Sequence, residues 1–213
     1  IEYANKIGCK SIITEDLKKH AISISQVRQS LLACLWSIAD KSDTPELWQS
    51  LNDDINKAIK PDDDEVVKAS GELNNYRNMK EMNAALKDNA VTGTLESFDL
   101  TDAGYEALDA TIHRVEQRGI LTADANFLYG LCKQFSSLRG AVLSSSWQQA
   151  KDISAMIKKK IVGPDNKVLP KIPKNCLKEA QLCYSFSEDR LLVASMTDAL
   201  RDKAVVGVGS NLS

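Results

Sequence analysis

ALDATIHRVEQRGILTADANFLYGLCKQFSSLRGAVLSSSW, residues 107–147, decides the fold class. Leu108, Ile112 and Val115 recur at spacings of three and four, which lines them along one helix face. Arg118-Gly119-Ile120 follows, with glycine where a helix ends in the left-handed conformation and a hydrophobe behind it. Thr122 then stands as the cap of a second helix with the stripe Leu128, Leu131, Phe135, Leu138 and Val142. Ser145 and Gln148 have the spacing of a capping box and open a third helix through Trp147, Ile153, Met156 and Ile157. Two amphipathic helices joined by a glycine turn make a hairpin, and strand-type alternation appears only at Ile22-Ser23-Ile24-Ser25, over too few residues to outweigh the capping signature there.

The same period extends in both directions. Residues 22–39 carry Ile24, Val27, Leu31, Leu35 and Ile38, with Ser23 and Gln26 as a capping box, so residues 1–21 read as an irregular N-terminal segment. Thr44 and Pro45 start a helix faced by Trp48, Leu51, Ile55, Ala58 and Ile59, which Pro61 ends. The run Asp62-Asp63-Asp64-Glu65 suits the positive N-terminus of the next helix, striped by Val66, Ala69, Leu73, Tyr76, Met79, Met82 and Leu86. Residues 89–100 read as a connection, and a helix resumes after Thr101. Pro164, Pro170 and Pro173 make residues 163–174 an extended crossover. Leu177, Ala180 and Cys183 mark a short helix. Ser187 caps a last one with Leu192, Met196, Ala199 and Leu200, and residues 206–213 form a tail.

An internal repeat organises these helices. Met79, Met82, Ala85 and Leu86 align with Phe135, Leu138, Ala141 and Val142, and Ile55, Ala58 and Ile59 align with Leu108, Thr111 and Ile112. Val193, Met196, Ala199 and Leu200 repeat the second pattern once more. The expected architecture is all-α: antiparallel helical hairpins over residues 22–162 stacked as a short solenoid-like array, with a last hairpin at 175–205. A closed helical bundle is the alternative. Leu31, Leu35, Ile55, Met82, Leu108, Leu138 and Met196 are expected in the core. Terminal repeats without neighbours would leave apolar faces uncovered at residues 24–38 and 192–200.

The Ala107-Leu108 helix, the glycine turn, Leu138-Arg139-Gly140-Ala141-Val142 and the Ser146-Trp147 opening together resemble degenerate helical-hairpin repeats. Such repeats occur in large multidomain, cytoskeletal-type proteins of protists, algae and oomycetes, often beside calmodulin-binding or motor domains. The resemblance spans residues 44–205 and departs from the family at the Pro/Lys crossover. It implies a scaffold or interaction role and supplies no catalytic residues.

Composition narrows the remaining chemistry. The 213 residues are 43% hydrophobic and 26% charged with a net charge of −2, which gives no global argument for a nucleic-acid or anionic-membrane partner. No run approaches the ~18 apolar residues of a membrane-spanning helix. The chain opens on Ile1 rather than Met, which reads as a fragment or a processed form. Five scattered cysteines, Cys9, Cys34, Cys132, Cys176 and Cys183, read as reduced core thiols of an intracellular protein. With only His20 and His113, no metal or cofactor site is expected. The acidic run 62–65 lacks the alternating ligands and glycine of an EF-hand loop. His113 and Cys132 fall on consecutive helices, where packing is the stronger reading than nucleophilic catalysis. Gly207 and Gly209 lack the strand and helix context of a dinucleotide site.

One basic cluster stands out. Lys158, Lys159, Lys160, Lys167, Lys171 and Lys174, less Asp165, give +5 over residues 158–174, a candidate contact patch for phosphate or an acidic partner. Lysines at a helix C-terminus also complement its dipole. The expected function is a non-catalytic, cytoplasmic scaffold segment that binds other proteins or further repeats, with assembly into an oligomer open. An α-helical enzyme or small-ligand-binding domain with a polar site built from distant residues is the alternative.

Overall fold

The structure is a computed structural model that describes residues 12–40, 42, 44–87, 91–92, 99–100, 102–119 and 122–209. Cys9, Thr101 and Ile120, with residues 1–11 and 210–213, lie outside the described residues. The chain is all-α. Among the described residues the helices are α1 (Ile12–Ala39), α2 (Pro45–Asn56), α3 (Asp64–Lys87), α4 (Asp102–Arg118), α5 (Ala123–Leu143), α6 (Trp147–Ile161) and α7 (Asn175–Gly209). The 89–100 connection adds one minimal ribbon, β1 (Val91–Thr92) against β2 (Asp99–Leu100), antiparallel with Val91 opposite Leu100. The helices form two compact units divided inside α3, residues 1–77 and 78–213.

In the first unit, Val27, Leu31 and Cys34 of α1 bury against Trp48 and Leu51 of α2 and Ala69 and Leu73 of α3. Trp48 stacks on Tyr76 at 4.2 Å between ring centroids, and Ser30 Oγ donates to Asp54 at 2.5 Å. Pro45 opens α2 as its sequence requires, with Thr44 at the cap but no side-chain hydrogen bond there.

The second unit has the larger core, centred on Leu108 and Val115 of α4, Leu128 to Val142 of α5, Ile153 and Ile157 of α6, and Cys176 to Cys183 of α7. Gly119 ends α4 at φ +80°, the left-handed conformation that a side chain resists, and its N–H donates to the Val115 carbonyl at 3.0 Å. Its own carbonyl accepts from Asn78 Nδ2 at 2.7 Å. Thr122 caps α5 by accepting from the Ala125 N–H at 3.2 Å. Glu116 near the end of α4 accepts from Tyr129 near the start of α5, and Lys151 early in α6 pairs with Glu188 of α7 at 2.8 Å. Both contacts join neighbours that run antiparallel.

Several expectations are corrected. Residues 12–21 are helical rather than irregular: no proline or glycine interrupts them, so α1 starts eleven residues before Ser23, which sits mid-helix and buried. The last hairpin is one continuous helix, because residues 175–206 contain no proline or glycine and Ser187 is packed inside rather than capping. That helix continues to Gly209, so residues 206–209 are not a tail. Ser145 is a turn residue at φ 55°, and Ser146 holds the N-cap position of α6 without a side-chain bond. The 163–174 segment folds back instead of extending. Gly163 N–H donates to the Lys167 carbonyl at 2.9 Å, Asn166 takes φ 58°, Val162 bridges Val168, and Ile172 is buried. Ala58 and Ile59 lie past the end of α2, whereas their aligned partners Thr111 and Ile112 are buried inside α4. Leu35 and Met196 are exposed, since α1 turns its Val27–Leu31–Cys34 side inward and α7 outruns its neighbours.

Candidate functional site

Three places have the makings of a site. The most enclosed is an ion pair within the second unit. Arg139 of α5 donates from Nε to Glu179 Oε1 at 2.7 Å and from Nη2 to Oε2 at 2.9 Å, with side chains 0% and 2% exposed. The planar fork satisfies both carboxylate oxygens, the geometry that a charge pair needs to survive loss of water. Cys132, Cys176 and Cys183 line the same core, and burial pushes each thiol up to about 12. Thiols that resist ionisation are poor nucleophiles and poor metal ligands. The hydroxyls of Ser154 and Ser187 are buried without a hydrogen-bond partner. Sealed from solvent, Arg139 and Glu179 tie α5 to α7 and offer nothing to a substrate.

The second place is a groove of about 340 Å³ in the first unit, between His20, Ser25 and Arg28 of α1 and Asp63 and Glu65 at the start of α3. His20 Nε2 lies 3.2 Å from Asp63 Oδ2, and Arg28 Nη2 donates to Glu65 at 2.9 Å. Asp63 also accepts from the Glu65 N–H at 3.0 Å, as a helix N-terminus favours. The acidic run therefore caps α3, as its composition indicates, and also clamps α1. The groove is open and its charged groups are already paired with each other.

The third place is apolar surface. On α1, Leu32, Leu35, Trp36 and Ile38 are exposed, Trp36 by 69%. On α7, every residue from 192 to 203 is exposed, and Leu192, Val193, Met196 and Leu200 are 56–68% exposed. Monomeric proteins scatter single hydrophobes over their surface, whereas rows of them at helical spacing mark contact surfaces.

The remaining candidates disperse. His113 is 68% exposed beside Asp109 and Glu116, while Cys132 is fully buried, so no His–Cys pair exists. Lys158, Lys159 and Lys174 are exposed. Lys160 instead points to Gln134 at 3.3 Å and over the Phe127 ring, Lys167 lies 3.9 Å from Asp165, and Lys171 contacts Asp124. Half of the basic cluster is thus spent on local partners. Gly207 and Gly209 are helical. Among the described residues, no three His, Cys, Asp or Glu side chains are grouped to hold a metal ion, and no helix is long and apolar enough to cross a membrane.

Sequence reasoning missed Arg139, Glu179 and the His20–Asp63 contact. A signal for the first two was present. Arg139 follows Leu138 in the most apolar helix, and Glu179 stands beside Ala180 on the Cys176–Cys183 stripe, so each charge lies on a face that must be buried. No family model, curated protein or solved structure matches the chain.

Proposed function

We propose that the chain is a non-catalytic helical segment that holds other proteins, or further chain of its own kind, within a larger structural assembly. The carrying observation is the pair of apolar rows left in solvent on α1 and α7, at Leu32, Leu35 and Trp36 and at Leu192, Val193, Met196 and Leu200. Rows of this size are unfavourable in water unless a partner covers them. The enzyme reading draws less support, because the most buried polar pair is closed and His113 stands apart from Cys132. Placement in the cytoplasm, in an assembly of cytoskeletal type, belongs to the same proposal. It is supported by the free buried thiols Cys34, Cys132, Cys176 and Cys183, which suit a reducing compartment.

The test is gel filtration of native cell extract. The chain should elute well above its own mass of 23.4 kDa. Trp36→Glu combined with Met196→Glu should shift it to the monomer position with the helical circular dichroism unchanged. Elution of the wild-type chain at its monomer mass overturns the proposal.

A further inference from the structure

The outer half of α7 carries a pattern found buried elsewhere in the same chain. Phe135, Leu138, Ala141 and Val142 of α5 lie wholly in the core, and Val193, Met196, Ala199 and Leu200 repeat their spacing with every member exposed. At 100° per residue, Leu192, Val193, Met196, Ala199 and Leu200 fall within about 120° of one another on the helix surface. Asp189 and Lys203 stand seven residues before and after Met196, hence at the two ends of the same stripe, and both are exposed. The row is an apolar seam with one negative end and one positive end.

We infer that a second copy of this chain covers the seam, with the two α7 helices packed antiparallel about a twofold axis at Met196. This inference rests on the interaction role proposed above and names its partner. Antiparallel pairing sets Asp189 of each copy against Lys203 of the other, whereas parallel pairing sets like charges together at both ends. It also sets Leu192 beside the small Ala199 of the second copy and Val193 beside Leu200, so large and small side chains alternate across the seam as close packing requires. Met196 meets its own copy at the centre, where an unbranched thioether adapts to a symmetric contact. Such a twofold contact is self-complementary and closes at two subunits. With four large hydrophobes per copy it is a small interface, and the dimer should dissociate on dilution within the micromolar range.

Sedimentation velocity of the purified full chain, from low micromolar to a few hundred micromolar, tests the inference. The wild type should shift from monomer to dimer across that range, and Met196→Glu should remain monomeric with unchanged circular dichroism. Lys203→Glu alone should weaken the dimer roughly two- to fivefold, the range of an exposed ion pair. Asp189→Lys with Lys203→Glu should restore it, a rescue that parallel pairing does not provide. Three results overturn the inference: a monomer at every concentration, a dimer indifferent to Met196→Glu, or a charge swap that fails to rescue. A purified monomer that still elutes as a large species from extract overturns self-pairing alone and leaves the broader role standing. A monomer in both experiments removes both.

Discussion

The two units solve the same packing problem with different materials. The first buries a small apolar cluster, stacks Trp48 on Tyr76, and keeps its ion pairs, such as Arg28–Glu65, at the exposed edge. The second buries a larger cluster and encloses a charge pair, Arg139–Glu179, together with three raised thiols. Charges at an edge keep their water, so each is worth little and its loss is cheap. Charges in a core have lost their water, so each depends wholly on the other. The same residue types are therefore dispensable in one unit and indispensable in the other.

The sharpest way to break that comparison is Glu179→Ala. It leaves Arg139 charged and buried without its carboxylate, and the second unit should lose about 3–5 kcal/mol of stability by denaturant titration. Arg139→Met with Glu179→Leu should recover most of that loss, because apolar groups of similar size replace a pair that gains little net energy. If Glu179→Ala unfolds no earlier than wild type, the buried pair is not holding the core.

Alkaline titration sharpens the contrast next. Burial raises the thiols of Cys132, Cys176 and Cys183 to about 12 and that of Cys34 to about 11, against 9.0 for a free thiol. Below pH 9 the thiols are protonated in both folded and unfolded chain and contribute no pH dependence. Between pH 9 and the folded values the unfolded chain has released protons that the native chain retains, so stability falls as pH rises. Each thiol contributes about 1.4 kcal/mol per pH unit to that slope. With three raised thiols against one, the second unit should lose protection from hydrogen exchange the more steeply above pH 9. Cys→Ala variants should flatten the slope one thiol at a time.

The smallest effect concerns two threonines at helix starts. Thr122→Ala removes the bond to the Ala125 N–H and should cost about 1 kcal/mol, whereas Thr44→Ala removes no cap bond and should leave the melting temperature almost unchanged. Equal losses at both positions would show that composition at the cap, not the hydrogen bond, sets the cost.

The spacing of Leu128, Leu131, Phe135 and Leu138 was enough to read a buried helix, and Gly119 and Thr122 marked its turn, because these signals act within one or two helical turns. The exposed face of α7 at residues 192–200 was legible too, whereas at residues 24–38 Val27 and Leu31 of the expected stripe are buried and Leu32 and Trp36, outside that stripe, are exposed with Leu35 and Ile38. Ser145 misled by one position, since the turn takes it and leaves Ser146 at the cap, whereas Ser23 and Ser187 misled for a common reason. A serine three residues before a glutamine or beside an acidic pair has capping chemistry, but a helix starts only where the preceding backbone leaves the helical conformation. Residues 12–21 and 175–187 contain nothing that forces it to do so.

The sequence by itself determined the helical class, the turn at Gly119, the proline-interrupted loop and the amphipathic seam on the outer half of α7, all of them consequences of local sterics and of a period of 3.6 residues. Only the tertiary structure decided that Arg139 meets Glu179, forty positions away, that Asp63 meets His20, and that the division into two units falls inside α3. The physical reason is that a side chain's charge is written in its own codon, whereas its loss of water depends on every element packed around it. Whether a charge is cheap at an edge or indispensable in a core becomes fixed only when distant helices close over it.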